Sequence, residues 1–393
     1  MEVILGIVAI LICAKLLGEV AERAGIPAMV GEIGAGILLG PALLDLVEFN
    51  DIIAVFSDIG VITLLFISGV EMNVRAFTRN RNAAASTAIA GVVIPFLLGM
   101  AAGHLFGLPF IESLFVATVL SITSIGVTIG ALIEIRALNT RAGAIIVGAA
   151  VIDDLIGIIL LAVLLSAALT GMFSPATLLL TLALTGIFLI VLMTVGKRVL
   201  DWIFDRIHRA RTHEIPYSAA IITALLLAGI AASIGLHYGI GAFIAGILLG
   251  DHIRKDRVLF DSLMDISFGF FVSFFFASIG LLFVPDMAVF SAIPLVLIAL
   301  AFIGKTVGGF VGSYPFLRET GPALMVGIGL CPRGEISLVV SQAAFAAAFI
   351  SPLIFQAVTV MVIVMVLVPP VMLTYLSRLT GGTTAPPAPP DTQ

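Results

Sequence analysis

The chain has 393 residues, of which 61% are hydrophobic and only 11% are charged, with a net charge of −5 and a mean hydropathy of +1.24. Soluble domains carry about 25% charged residues, so this composition excludes a soluble globular protein and predicts an all-α polytopic membrane protein. The first apolar segment lacks a preceding basic stretch and a small-residue cleavage site, and we interpret it as a retained helix rather than a signal peptide.

Thirteen apolar runs are long enough to cross a bilayer and are bounded by charges or by glycine and proline. In chain order they cover residues 2–22, 28–45, 54–71, 83–106, 110–132, 142–169, 176–200, 216–234, 239–250, 265–283, 287–312, 320–347 and 351–377. Of the 19 Lys and Arg residues, 15 lie in the odd-numbered loops between these runs. The positive-inside rule therefore predicts an N-terminus outside and a C-terminus in the cytoplasm, in the cell (inner or plasma) membrane.

A sequence repeat relates the two halves of the chain. The hexapeptide AGILLG occurs at 35–40 and at 245–250, and Gly31 matches Gly241 at the same offset of 210. Equivalent predicted helices are seven apart, an odd number, so the two copies enter the membrane from opposite sides. We predict two inverted six-helix repeats, predicted helices 1–6 and 8–13, joined by a linker helix, which is an architecture typical of secondary transporters.

The fifth and twelfth predicted helices, equivalent in this repeat, both contain helix-breaking residues. The fifth includes SITSIG at 121–126, and the twelfth includes GLCPRGE at 329–335, where Pro332 and Gly334 interrupt the hydrogen-bond ladder. A broken helix exposes carbonyl and N–H groups at membrane depth, and its half-helix ends carry opposite partial charges. We therefore predict two broken crossing helices that bind an ion or balance buried charges.

Five ionisable residues lie deep in the predicted helices: Asp153, Asp154, Lys305, Arg333 and Glu335. A charge at the centre of a membrane helix costs about 2.5–3.5 kcal/mol, so each of them must pair, face water or become neutral. Successive helical residues are about 100° apart, so Asp153 and Asp154 cannot both face one partner. One aspartate can pair with Lys305 while the other faces a cavity.

A carboxylate in such a cavity is a hard oxygen ligand that suits a small hard cation. Asp154 and Asp153 are therefore the candidate Na+ ligands, and Thr123, Ser124 or carbonyl groups freed by the break would complete the coordination shell. A proton and a cation would compete for one carboxylate, which is the minimum requirement for exchange. Sodium and protons would be transported substrates, and we expect no cofactor.

The paired aspartates, the distant lysine, the TS break and the PRGE sequence resemble the cation:proton antiporter superfamily, most closely its monovalent cation:proton antiporter-2 family of sodium/proton antiporters. The resemblance covers essentially the whole membrane chain. It implies an NhaA-like antiporter fold and electrogenic exchange of sodium, and also lithium, by an elevator motion that serves pH homeostasis. Asp154 would be the main ion and proton site, with Asp153 bridged to Lys305 in one protonation state.

The same resemblance implies further roles and a division into domains. Thr123 would lie at the unwound crossing, and Arg333 and Glu335 would support the broken helix. The protein would be a homodimer in the lipid bilayer, with no nucleic-acid partner. Its parts would be a dimerisation domain (1–82 and 216–286), an ion-binding core domain (83–170 and 287–378), a linker helix with a cytoplasmic loop (171–215) and a disordered tail (379–393).

Several alternatives stay open at this point. The pairs Asp153–Lys305 and Arg333–Glu335 would be static bridges if they only fix helix packing. Potassium/proton antiport and sodium-coupled symport are possible on the same fold, although the chain ends without the nucleotide-binding domain that potassium-efflux relatives usually append. A cation channel would need a continuous pore. An intramembrane aspartyl protease would need its two aspartates on different helices, so neighbouring aspartates do not favour an enzyme.

Overall fold

Every element that the computed structural model describes is helical. The structure describes residues 2–72, 78–170, 186–188, 190–207, 214–234, 236, 238–283, 292–334, 337, 341, 344–345 and 348–379. A bilayer offers no water to backbone polar groups, and a helix satisfies those groups within its own segment, so long apolar runs form helices.

Seven helices belong to the N-terminal half of the described chain. They are α1 (Glu2–Arg23), α2 (Ala28–Leu39), α3 (Asp51–Glu71), α4 (Arg81–Leu105), α5 (Phe110–Ser121), α6 (Ile125–Glu134) and α7 (Arg141–Thr170). Helices α5 and α6 together replace the single fifth helix predicted from the sequence.

In the second half, eight further α-helices and two π-helical turns have bounds that the structure describes. The helices are α8 (Lys197–Ile207), α9 (Glu214–Ser233), α10 (Tyr238–Lys255), α11 (Arg257–Ile266), α12 (Val272–Leu281), α13 (Ala292–Leu317), α14 (Thr320–Gly329) and α15 (Pro352–Leu379). The π turns, Leu192–Gly196 and Ser267–Phe271, lead into α8 and join α11 to α12.

Eight described stretches are long and apolar enough to cross a membrane. They are Ile4–Arg23, Asp51–Glu71, Arg81–Leu105, Phe110–Glu134, Glu214–Ser233, Arg257–Leu281, Ala292–Leu317 and Pro352–Arg378. Helices α2 and α14 are shorter apolar helices. The prediction of an all-α polytopic membrane protein is thereby confirmed. Of the predicted seventh helix (176–200), residues 176–185 and 189 lie outside the described residues, and the described remainder is helical.

Two predicted boundaries differ from the structure for local reasons. Helix α2 ends at Leu39 and not at 45, because Gly40 leaves the helical conformation and the amides of Leu46 and Val47 turn back to the carbonyl oxygen of Leu39 at 2.9 and 3.0 Å. The tenth predicted helix begins earlier than 265, since the Asp256 side chain accepts a hydrogen bond from the Leu259 amide at 3.1 Å and starts α11.

The closest helix contacts occur at glycines that lie 210 residues apart. A β-carbon on Gly31 would overlap the carbonyl oxygen of Leu17, and a β-carbon on Gly241 would overlap that of Leu227. The same correspondence holds for Gly99 against Ala117 and Gly309 against Gly327, and nearly so for Gly36 against Ala277 and Gly246 against Phe66. Glycine therefore lets pairs of helices approach closely at matching places in the two halves.

Helix α4 positions the residues of the candidate site. It packs along α13 on one side and against α7 on the other. Close approach of α13 depends on glycines, because a β-carbon on Gly308 would lie 2.6 Å from the carbonyl oxygen of Ala90. Helix α4 therefore contacts both of the helices, α7 and α13, that carry charged residues of the site.

Candidate ion-binding site

Two of the predicted site residues form a buried ion pair. The Lys305 Nζ atom of α13 donates a hydrogen bond of 2.8 Å to Asp153 Oδ2 of α7. The side chains are only 1% and 2% exposed. Among the described residues, Asp153 Oδ1 has no hydrogen-bond partner. The pair therefore keeps a lysine charged inside the membrane, and one carboxylate oxygen remains available.

Asp154 is the second buried carboxylate of α7, with 5% of its surface exposed. As neighbours on a helix, the two aspartates point in directions about 100° apart. The lysine that bridges Asp153 therefore approaches a different side of α7 from the one that Asp154 presents. The two carboxylates thus lie next to each other along α7 but face different neighbouring groups.

The breaks of the two interrupted helices hydrogen-bond to each other. Between α5 and α6 the Thr123 Oγ1 atom donates to the Leu330 carbonyl at 3.1 Å, and the Ser124 amide donates to the Pro332 carbonyl at 2.9 Å. The Thr128 hydroxyl of α6 donates to the Gly329 carbonyl, the last of α14, at 3.0 Å. These bonds satisfy carbonyl groups that a helix would otherwise have bonded internally.

Arg333 lies inside this crossing and is fully buried. Its Nη1 atom donates to the carbonyl oxygens of Leu330 at 3.3 Å and Cys331 at 2.8 Å, and its Nη2 atom donates to that of Leu120 near the end of α5. The C-terminal end of a helix carries roughly half a negative charge. One guanidinium therefore balances the ends of two half-helices, α5 and α14.

Three contacts join the crossing to the ion pair. A β-carbon on Gly91 of α4 would lie 4.0 Å from Lys305 Nζ and 3.7 Å from the Leu330 side chain, so both groups share the space that this glycine leaves. Thr306 Oγ1, next to the lysine, lies 3.3 Å from Cys331 Sγ. On α7, a β-carbon on Gly157 would lie 3.3 Å from the Ile122 side chain in the first break. The breaks and the charges thus form one site.

The structure brings together Asp153, Asp154, Lys305, Thr123 and Ser124 at or beside the crossing. Arg333 joins them through backbone carbonyls, whereas Glu335 lies outside the described residues. Sequence analysis missed the hydroxyls of Thr128 and Thr306. Their signal was the position of Thr306 beside Lys305 and the spacing of Thr128 one turn after Ser124.

Another charge pair, between a half-exposed lysine and a buried glutamate, lies apart from this site at the contact of α1, α2 and α12. Glu32 Oε1 accepts hydrogen bonds from Lys15 Nζ at 3.1 Å and from Ser273 Oγ at 2.7 Å. The lysine also donates to the carbonyl oxygen of Phe268 in the π turn at 2.7 Å. The described hydrogen-bond partners of Glu32 thus lie on α1 and on α12, away from the crossing of the broken helices.

A crevice opens beside α7 at one end of the site. Ser68 and Phe243 line one wall, and Ala144 and Val147 of α7 line the other. Val147 and Asp154 are seven residues apart, which places them on the same face of the helix. One lining residue of the crevice, Val147, therefore lies two turns from Asp154 on the same face of α7.

Comparison with known families decides what kind of protein this is. Residues 7–378 match the family model described as "Sodium/hydrogen exchanger, transmembrane". The chain belongs to the sodium/hydrogen exchanger family. This is a family of transporters and not of catalytic enzymes.

Relatives in the sodium/hydrogen exchanger family match over most of their length. The high-affinity Na+/H+ antiporter NhaS3 of Synechocystis sp. is 32% identical, covering 94% of this chain and 88% of that protein. The Na+/H+ antiporter of Enterococcus hirae is 30% identical, covering 95% and 98%. The structure of MjNhaP1, a sodium proton antiporter from Methanocaldococcus jannaschii, superimposes with a TM-score of 0.70 at 18% identity, covering 97% and 98% of the two chains. This structural match shows the shared fold.

Proposed function

We propose that this exchanger is an electrogenic antiporter that extrudes Na+, and also Li+, in exchange for protons. The observation that carries the proposal is the buried Asp153–Lys305 pair directly beside a second buried carboxylate, Asp154. Relatives named as Na+/H+ antiporters support the same reaction.

Asp154 is the proposed carrier of the cation and of the proton. When ionised, its carboxylate offers Na+ a hard oxygen ligand, and hydroxyl or carbonyl oxygens near Thr123 and Ser124 complete the shell. When protonated, it loses the charge that holds the ion, so Na+ and H+ displace each other. We assign a second transported proton to the Asp153–Lys305 pair. A bound Na+ beside Asp153 would weaken the bond between Asp153 and Lys305. More than one proton per sodium makes the cycle electrogenic.

The proposed architecture is a pair of inverted repeats. Close helix contacts at glycines 210 residues apart, such as Gly31 and Gly241, support it. So do the helix bounds, since α7 (Arg141–Thr170) and α15 (Pro352–Leu379) follow the two breaks at nearly the same offset. An inverted repeat provides two related conformations with the site near the membrane midplane, as alternating access requires.

The proposed moving unit is the core domain, residues 83–170 and 287–378, which slides as an elevator against the dimerisation domain, residues 1–82 and 216–286. The packing of the helices supports this division. Helices α2 and α12, and α3 and α10, pack within the dimerisation domain, whereas α4 packs with α5, α7 and α13 within the core. In a homodimer, the dimerisation domains would hold the transporter while each core moves.

We assign the crevice beside Val147 to the cytoplasmic access route of Asp154. The basic residues of the adjoining loops support this orientation, since Arg136 and Arg141 lie at the same end of α7 as the crevice. The N-terminus would then lie outside the cell membrane and the C-terminus inside.

Proton movement in proteoliposomes tests this proposal. Purified protein is reconstituted with a pH-sensitive dye, and Na+, Li+ or K+ is added with the membrane potential either free or clamped by valinomycin and potassium. We expect Na+ to trigger proton movement that an imposed potential alters. Asp154→Asn should abolish the response, because an amide neither titrates nor supplies the charge that holds the cation.

Asp251→Asn is the matched control, since this aspartate is exposed and pairs with Arg254 on the protein surface. It should exchange at the wild-type rate. Wild-type exchange by Asp154→Asn would contradict the site assignment, and no response of the wild type to any cation would contradict antiport.

Potassium is a second candidate cation. One relative, 28% identical over 94% of this chain and 95% of its own length, is named as the Na+/H+-K+ antiporter GerN of Bacillus cereus. Potassium is larger than sodium and costs less to dehydrate, so selectivity depends on the spacing of the oxygens around Asp154. Comparing the three cations in the same assay decides between them.

A further inference from the structure

Helix α6 presents one face to the proposed dimerisation domain. Gly126, Gly130 and Glu134 are four residues apart and therefore lie on that face. A β-carbon on Gly126 would lie 3.0 Å from the ring of Phe275, and a β-carbon on Gly130 would lie 2.7 Å from the ring of Phe276, both on α12. This face of α6 thus has no side chains where it contacts the aromatic rings of α12, and it carries a carboxylate at its C-terminal end.

Glu134 caps a helix of the other proposed domain. Its Oε1 atom accepts a hydrogen bond of 3.0 Å from the Met29 amide in the first turn of α2. The cap position of α2 is Pro27, whose side chain makes no capping bond. The partially positive N-terminus of α2 is therefore bound by a negative group that α6 supplies.

A second contact between the domains reaches the same corner of the chain. The Arg378 Nη2 atom at the end of α15 donates to the carbonyl oxygen of Gly25 at 3.0 Å. Gly25 has a φ of 75°, which positions the turn between α1 and α2. Two residues of the proposed core, Glu134 and Arg378, thus hold one corner of the proposed dimerisation domain.

We propose that Glu134 is a positioning residue of the transport cycle: it caps α2 across the domain boundary, holds the conformation seen here, and must leave α2 each time the core moves. The inference rests on the proposed elevator motion. Apolar contacts along Gly126 and Gly130 can be exchanged during a slide, whereas a hydrogen bond to one particular amide is lost.

Removing the cap should change the balance between the two conformations. We expect Glu134→Ala to reduce the population of the capped conformation about fivefold, the ratio typical of a lost helix cap. Because that conformation opens to one side only, the half-saturating Na+ concentration should shift in opposite directions on the two sides of the membrane. A purely structural role would move both values together or neither.

Glu112→Ala is the matched control. Glu112 likewise accepts a hydrogen bond from a backbone amide, that of Ser351 at 3.1 Å, immediately before α15. Glu112 and Ser351 both lie within the proposed core, so the substitution removes a comparable contact without affecting the domain boundary. It should leave the two half-saturating concentrations in their wild-type ratio.

Reversible cross-linking tests the same inference independently of affinity. Ala28→Cys with Glu134→Cys is joined by a short reducible thiol cross-linker in a Cys13→Ser background, since Cys331 is fully buried. We expect sodium-driven proton movement to stop on cross-linking and to return on reduction. The pair Glu112→Cys and Ser351→Cys, cross-linked in the same way within the core, should stay active.

The outcomes separate this inference from the proposed function. Exchange that continues in cross-linked Ala28→Cys/Glu134→Cys protein, or equal affinity shifts on both sides in Glu134→Ala, would overturn the role of Glu134 and leave antiport intact. Absence of exchange in the wild type would overturn antiport itself, and the inference with it.

Discussion

Lys305 can remain charged inside the membrane only while a negative group stays beside it. Its Nζ atom lies 2.8 Å from Asp153, and both side chains are buried. Truncating one member of a buried pair leaves an uncompensated charge, which costs more than the pair itself contributes to stability. At the scale of single residues, the site therefore contains two buried charges whose stability depends on each other.

Lys305→Met should strongly destabilise the protein. It leaves the Asp153 carboxylate buried without its partner, for which we expect a loss of about 3–5 kcal/mol in the free energy of unfolding. Thermal unfolding of the purified protein in detergent measures this loss.

The double variant Lys305→Met/Asp153→Leu provides the comparison, because it removes both charges together and should recover most of the lost stability. Lys15→Met is a second control, since the Lys15 side chain is 46% exposed and should lose far less. Equal stability of Lys305→Met and the wild type would show that the pair is not a coupled unit.

Arg333 lies in the break between helices, and its described hydrogen bonds are with the backbone. The sequence suggested a bridge to Glu335, which lies outside the described residues. The contacts seen for Arg333 are with backbone carbonyls, including those of Leu120 and Cys331. A charge bound to the ends of two half-helices stabilises their crossing, and we propose this as the role of Arg333.

Between helices, packing depends on glycines at a few positions where backbones touch. Gly36 of α2 has no room for a β-carbon, because it faces the carbonyl oxygen of Ala277 in α12. Gly34, two residues away on the same helix, has no atom within 4 Å of that position among the described residues. The close packing of α2 against α12 therefore depends on Gly36 and not on Gly34.

Gly36→Ala should destabilise the protein, and Gly34→Ala should not. The first substitution forces α2 away from α12, at a cost of about 1–3 kcal/mol for overpacking. The second replaces glycine by a better helix former, worth up to about 1 kcal/mol in the other direction. Thermal unfolding in detergent distinguishes them, and the proposed repeat further requires Gly246→Ala to behave like Gly36→Ala.

For the whole molecule, the central proposal is a dimer with two independent cores. We expect native mass spectrometry from mild detergent to give a particle of twice the 41.0 kDa of one chain. Two results together would contradict the need for a partner: a particle with the mass of one chain, and full exchange by vesicles that each hold one copy of the protein. Exchange only from vesicles that hold two copies would support it.

The sequence alone determined the membrane class, most helix positions, the two breaks and the identity of the charged residues. These features could be read locally, because hydropathy, proline, glycine and charge act within a few residues of their own position. The short α2 was missed because the turn after Gly40 depends on bonds back to Leu39, which an apolar stretch does not reveal.

Only the tertiary structure decided which groups meet. Asp153 and Lys305 are 152 residues apart, and Glu134 and Met29 are 105 apart. No local sequence pattern specifies such pairs. A buried charge requires a partner, but the residues around it in the sequence do not show which residue that partner is. The packing of α4 against α7 and α13 determines which of the two aspartates contacts the lysine. The contact of α6 with α2 places Glu134 beside the Met29 amide, and the position of Glu134 at the end of a helix did not indicate this partner.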